Sequence, residues 1–204
     1  AEVSKAEKLS ASEDLASSLG EITKSLVDKR IALQVAKDDQ RVGDSKHAAD
    51  VAAAEGLKQV MDAHLVPIVV GGSDQSDAEG HFQALMPLIV SLKLDSSLSS
   101  ALETTCTKPG FDRSSFDKLV IQELESALAA HLHTLQGIVS SGMSGLTSRA
   151  ATVEVTSKEH DAWQYKQDTA AAALSVAQQV MHEACNTLIS AQEAVTQFDA
   201  EHAD

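Results

Sequence analysis

Counted in sevens from Ala170, the chain gives Ala170, Ala177, Ala184 and Ala191; counted in sevens from Leu174, it gives Leu174, Met181, Leu188 and Val195. Seven residues make two helical turns, so the two series lie side by side on one seam of a long helix, methyls along one edge and larger aliphatics along the other. Alanine at every seventh position removes the bulk that holds two helices apart. The pattern therefore calls for a partner helix lying close along its length. Neither proline nor glycine interrupts residues 146–198, which predicts one helix from about Leu146 to Phe198, on the order of 75 Å long at 1.5 Å per residue.

The first third of the chain supplies a candidate partner. Leu15, Leu19, Ile22, Leu26, Leu33 and Ala36 recur at three-four spacing, and the same frame runs on through Gly43, His47, Asp50, Ala54, Leu57 and Met61. A rod over residues 1–65 is expected, with Gly43, Asp44 and Ser45 marking a kink or break. Ala48, Ala49, Ala52 and Ala53 offer small residues to meet the C-terminal alanines. Pro67 and the Gly71-Gly72 pair then interrupt the pattern and place a hinge there.

Between the rods, residues 66–145 read as a compact bundle of about three short helices. The first spans about Asp77 to Leu94, with Phe82, Leu85, Met86, Ile89 and Leu92 on its apolar face and a bend at Pro87. The second is capped by Asp95-Ser96-Ser97. The third is N-capped at Ser114, with Asp117 where a capping box has Glu or Gln. It carries Phe116, Leu119, Val120, Leu124, Ala127, Leu128, His131, Leu132 and Leu135 and ends in a turn at SSGMSG. The expected fold is all-α: one elongated domain over residues 1–204, an antiparallel hairpin of an N-terminal rod (1–65) and a C-terminal rod (146–204) capped by the smaller bundle.

Composition agrees with that class. Only six of the 204 residues are aromatic, and the apolar content is largely alanine, leucine and valine, a helix-forming set rather than a strand-forming one. The formal charge is −14, and residues 146–204 hold nine acids against Arg149, Lys158 and Lys166. A chain without clustered Lys and Arg is poorly suited to nucleic acid or to an anionic membrane surface. Such an acidic surface leaves room for weak divalent-cation binding or a basic partner. No apolar run reaches the roughly 18 residues of a membrane span; HLVPIVV and LMPLIV are too short, though their exposure on activation would make a membrane-active protein. Cys106 and Cys185 form no CxxC unit, and two free thiols are the simpler reading. If Ala1 is a processed N-terminus, a secreted or organelle-lumen address follows.

Motifs that carry chemistry are missing. No nucleophile elbow, phosphate loop or His-Glu-x-x-His occurs, so no catalytic residue, cofactor or metal ligand is assigned. Asp44 with His47 and Asp199 with His202 are Asp-x-x-His pairs without companion carboxylates. SDQSDAEG alternates oxygens somewhat as a calcium loop does but lacks the required glycine and glutamate offsets. Trp163 keeps phase with the alanine series and reads as a core plug where the rod meets the bundle. His131, on an apolar helix face, and His47 and His64, in the heptad frame of the first rod, are candidate pH sensors, because an imidazole in an apolar layer is neutral there and disrupts the layer when protonated.

Two functions follow. The first is a non-enzymatic structural or assembly protein using the alanine-rich hairpin for self-association or partner association through Ala170, Leu174, Ala177, Met181, Ala184, Leu188, Ala191 and Val195. The alternative is a pH-responsive carrier of a small apolar ligand in the middle bundle, enclosed by Phe82, Met86, Leu128 and Leu132.

Overall fold

The computed structural model describes residues 2–72 and 74–201, with side chains described over 5–72 and 74–198. Helix α1 spans Glu2–Val60 and runs into a π-helical turn, Met61–Leu65; α2 is Val66–Val70, α3 Gln75–Leu92, α4 Ser96–Cys106, followed by a 3-10 turn at Gly110–Asp112 and by α5, Ser115–Glu201. No strand occurs among the described residues. Of the Asp199 and His202 pair, His202 lies outside the described residues.

The chain divides into two compact units, Ala1–Gln40 with Arg149–Asp204, and Arg41–Ser148. Residues 41–65 thus group with the middle helices rather than with the first rod.

In the first unit α1 and α5 pair as an antiparallel hairpin. Lys29 Nζ meets Glu159 Oε2 at 2.9 Å, and Gln167 Nε2 donates to Thr23 Oγ1 at 3.0 Å. The inward residues of α1 follow alternating steps of four and three: Ser12, Leu15, Leu19, Ile22, Leu26, Lys29, Leu33 and Ala36 are all buried or half-buried. Those of α5 do the same through Val153, Thr156, His160, Trp163, Gln167 and Ala170. A four-three alternation averages 3.5 residues per turn, the repeat that keeps one stripe facing a partner. The polar members of both stripes do not add stability by burial. They fix the register, as polar residues at seam positions do in coiled coils.

The second unit holds the dense core. Leu57, Leu65, Ile68, Phe82, Leu85, Ile89, Leu102, Cys106, Val120, Ile121, Leu124 and Leu128 form one buried cluster from α1, the π turn, α2, α3, α4 and α5. Pro67 accounts for the π turn. It has no N–H to give the carbonyl four residues back and its ring crowds that carbonyl, so the helix widens there and Val66 N–H bonds Met61 O instead. The hinge falls later, at Gly71, whose φ of +71° and C-cap position end α2. Gly110 N donates to Gly71 O at 3.2 Å, and a Cβ on Gly71 would lie 2.8 Å from Gly110 Cα; two bare backbones cross where no side chain fits. Arg113 secures the crossing by donating to the carbonyls of Ile68, Lys108 and Cys106.

Helix α5 starts as the capping-box reading requires. Ser114 N donates to Asp117 Oδ2 at 2.8 Å and Asp117 N donates to Ser114 Oγ at 3.2 Å. Asp117 also takes Lys108 Nζ at 2.8 Å and the Thr105 hydroxyl at 3.2 Å. The Lys108 ammonium, with the Ser114 donors, holds this carboxyl well below the usual carboxylate range.

Several expectations are corrected. Gly43-Asp44-Ser45 does not break α1, and SSGMSG is no turn, since α5 continues through it. Ser141 and Ser144 send their hydroxyls back to carbonyls of the preceding turn, Ile138 O and Ser141 O, and stay helical. Gly142 is inward, where the ring of His47 occupies the space a side chain would need. Ala48, Ala49, Ala52 and Ala53 are exposed and belong to the second unit. Phe116 and Leu119 point outward rather than into the core.

Candidate functional site

Along the α5 seam, Ala170, Leu174, Ala177, Met181, Ala184 and Leu188 are each half-buried. The six alternate four-three, and the residues between them are exposed except Cys185, which is half-buried; this is the mark of a helix seen by one partner. Counting from Thr23 beside Gln167, the register sets Leu15 close to Leu174 and Ser12 close to Ala177. It also carries α5 past the described start of α1 beyond Leu188. There Ala191 is exposed and Val195 is 61% exposed.

The seam leaves much apolar surface outside. Leu26 is the only large aliphatic that is buried among the described residues of this unit. Val155, Ala162, Thr169 and Val176 recur every seventh residue on a flank of α5 that does not face α1, joined by Ala173 and Val180. Val155 is 55% exposed and Val176 63%. On α1, Val27, Ile31 and Val35 form a second exposed stripe at four-residue spacing. Trp163 belongs to the seam of this unit and not to the middle bundle, with Lys166 Nζ 4.3 Å from its ring centroid. The Lys29 and Glu159 pair is about half exposed and serves register more than stability.

The candidate pH sensors are not brought together. His47 lies against Gly142, its Nδ1 buried and without a hydrogen-bond partner. His64 sits in the π turn, and its Nδ1 is 3.1 Å from Nδ1 of His81 on α3. One ring of that pair donates and the other accepts, with ring centroids 5.3 Å apart and planes inclined by 57°. His131 is half-buried on α5. The pairing of His64 with His81 went unseen in the sequence, because heptad counting along one helix says nothing of which residue a second helix presents.

The four residues proposed to enclose an apolar ligand are part of the packed core: Phe82 and Leu128 are buried, and Met86 and Leu132 pack against them. Two hollows lie elsewhere in this unit. A groove of about 610 Å³ runs beside Val70, Gly71, Phe111 and Arg113, and an apolar cleft of about 330 Å³ lies between Leu98, Ala101, Phe116 and Leu119. Arg113 is already committed to backbone carbonyls, and Lys118 and Glu125 bring charges of opposite sign to the same groove.

Asp74 caps α3 by accepting from Asp77 N at 2.9 Å, and Glu79 accepts from Gln75 Nε2 at 3.2 Å, so two of the three SDQSDAEG carboxylates are engaged within the helix. No group of three or more His, Cys, Asp or Glu poised for a metal ion occurs among the described residues. No described helix is long and apolar enough to cross a membrane. Cys106 and Cys185 are free thiols, and burial pushes the Cys106 thiol up to about 11, far from the reactive range.

Comparison with protein-family models, with curated proteins and with solved structures gives no match to this chain.

Proposed function

We propose that this chain is a non-enzymatic structural or assembly protein that associates through the helical surface of its hairpin unit, with a second copy of itself as the first partner. The observation that carries the proposal is the apolar flank of α5, Val155, Ala162, Thr169 and Val176 at seven-residue spacing with Ala173 and Val180 beside it, exposed along a helix whose seam is already used. A second heptad-spaced stripe is what a helix carries when it has two neighbours rather than one. Its small and aliphatic side chains suit another helix, and the exposed stripe Val27, Ile31 and Val35 of a second copy has matching chemistry. The formal charge of −14 on each copy opposes the association at long range, so salt or divalent cations favour it by screening.

Sedimentation velocity over a wide concentration range, at low and moderate salt, tests this. The wild-type chain is expected to associate more strongly as salt rises. The variant V155E/V176E/V180E, which leaves the seam untouched, is expected to remain monomeric with unchanged helicity. A wild-type chain that stays monomeric throughout, or a triple variant that associates as the wild type does, overturns the proposal.

A further inference from the structure

We infer that His64 and His81 form a two-imidazole clasp for a late transition-metal dication such as Zn²⁺ or Cu²⁺, bound through the two Nδ1 atoms and completed by water. The inference is independent of the association proposed above.

The two nitrogens stand close to the separation a chelate requires. Two imidazoles on a tetrahedral zinc at about 2.05 Å per bond have their ligating nitrogens about 3.3 Å apart and their ring centroids about 5.2 Å apart. The His64 and His81 Nδ1 atoms are 3.1 Å apart, and their ring centroids are separated by 5.3 Å. Opening the pair by a few tenths of an ångström lets a metal ion take the place of the shared Nδ1 proton, which passes through water to Nε2 of the same ring, so that both imidazoles stay neutral and each Nδ1 gives its lone pair. The two ligands come from separate elements, the π turn and α3, so the bound ion ties them together. The π turn that carries His64 is fixed by Pro67, which imposes the widened backbone whether or not a ligand is bound.

Ligand type selects the ion. Two neutral imidazoles favour zinc, copper or nickel over the hard, oxygen-seeking Ca²⁺ and Mg²⁺. With no third protein ligand gathered among the described residues, the site keeps open positions. That describes an exchangeable clasp and not a closed structural zinc site, which takes four protein ligands. The acidic surface, at a formal charge of −14, raises the local cation concentration.

The test uses the full chain, freed of metal by a chelator. With one equivalent of Cu²⁺, pulsed EPR of the wild type is expected to show two imidazole nitrogens on the copper, and of H81Q only one. Zn²⁺ at a hundredfold excess over its Kd is expected to raise the wild-type Tm by about 5–10 °C, with the rise lost in H64Q and in H81Q and kept in H131Q. The EPR reading on the wild type stands even if a variant folds poorly. A single imidazole on the copper in the wild type, or a zinc-induced rise that persists in both H64Q and H81Q, overturns the inference.

Discussion

Replacing Gly142 by alanine probes how closely α1 and α5 approach within the second unit. An alanine at an open interior helical position normally stabilises by about 0.5–1 kcal/mol over glycine, because it reduces the freedom of the unfolded chain. Gly137, on the same helix, is such a position, where an added methyl meets nothing within 4 Å. At Gly142 the methyl would lie 2.5 Å from Nδ1 and 3.2 Å from Cε1 of His47, roughly an ångström short of ordinary contact. The ring of His47 is half-buried with its Nδ1 enclosed, so the methyl must displace it from a packed position, and overpacking of this kind costs about 1–3 kcal/mol. The sum is a net loss of up to about 2 kcal/mol for G142A against a gain for G137A, or several degrees of Tm in opposite directions for a chain of this size. Thermal and urea unfolding of the two variants, followed by circular dichroism, give the comparison. The double variant H47A/G142A removes the ring that the methyl meets and is expected to recover the loss specific to G142A. If G142A stabilises as much as G137A, the two helices do not approach as described and the reasoning fails.

Two further outcomes follow from the same structure. Ala177 is half-buried on the seam while Ala172 is exposed, so A177L is expected to lower Tm by about 2–10 °C through overpacking and A172L to leave it nearly unchanged; equal melting of both would remove the seam from the account. Asp117 is the second case: its pKa is held down in the folded state, so its contribution is present above the unfolded carboxylate value and is lost as the pH falls below about 4. Acid titration of D117N is expected to show lower stability at neutral pH and a shallower loss below about pH 4 than the wild type, and an unchanged acid limb would remove Asp117 from the acid response.

The helical class, the seam and the Ser114 and Asp117 cap were legible because each is a short-range pattern written along one helix. The capping box survived the exchange of Glu for Asp because the shorter carboxylate still reaches Ser114 N at 2.8 Å. Local propensity failed where packing decided. The serines and glycines of SSGMSG are poor helix formers, yet the helix continues because its inward face there accommodates His47 in place of a side chain on Gly142. Pro67 was rightly an irregularity, but the chain answers it with a widened turn and breaks only at Gly71. The approach of His64 to His81, 17 residues apart across a hinge, depends on how the π turn aims one side chain, which no periodicity reports. The same holds for the exposure of Phe116 and Leu119: their spacing fits an apolar face, but the core takes Asp117, Val120, Ile121 and Leu124 from the first turns of α5 instead.

The antiparallel pairing of α1 with α5 in the hairpin unit underlies both the seam and the exposed flank. Its most direct measurement is a ladder of spin-label distances in a background free of native cysteines, using Ser17 with Ala172, Lys24 with Tyr165, and Ile31 with Lys158, all exposed positions. With the register set by Thr23 beside Gln167 and Lys29 beside Glu159, the three rungs are expected to return the same narrow distance, and the offset pair Ser17 with Lys158 a distance lengthened by a displacement of about 21 Å along the axis. Distances that grow steadily from rung to rung, or broad distributions at all three, would contradict the pairing.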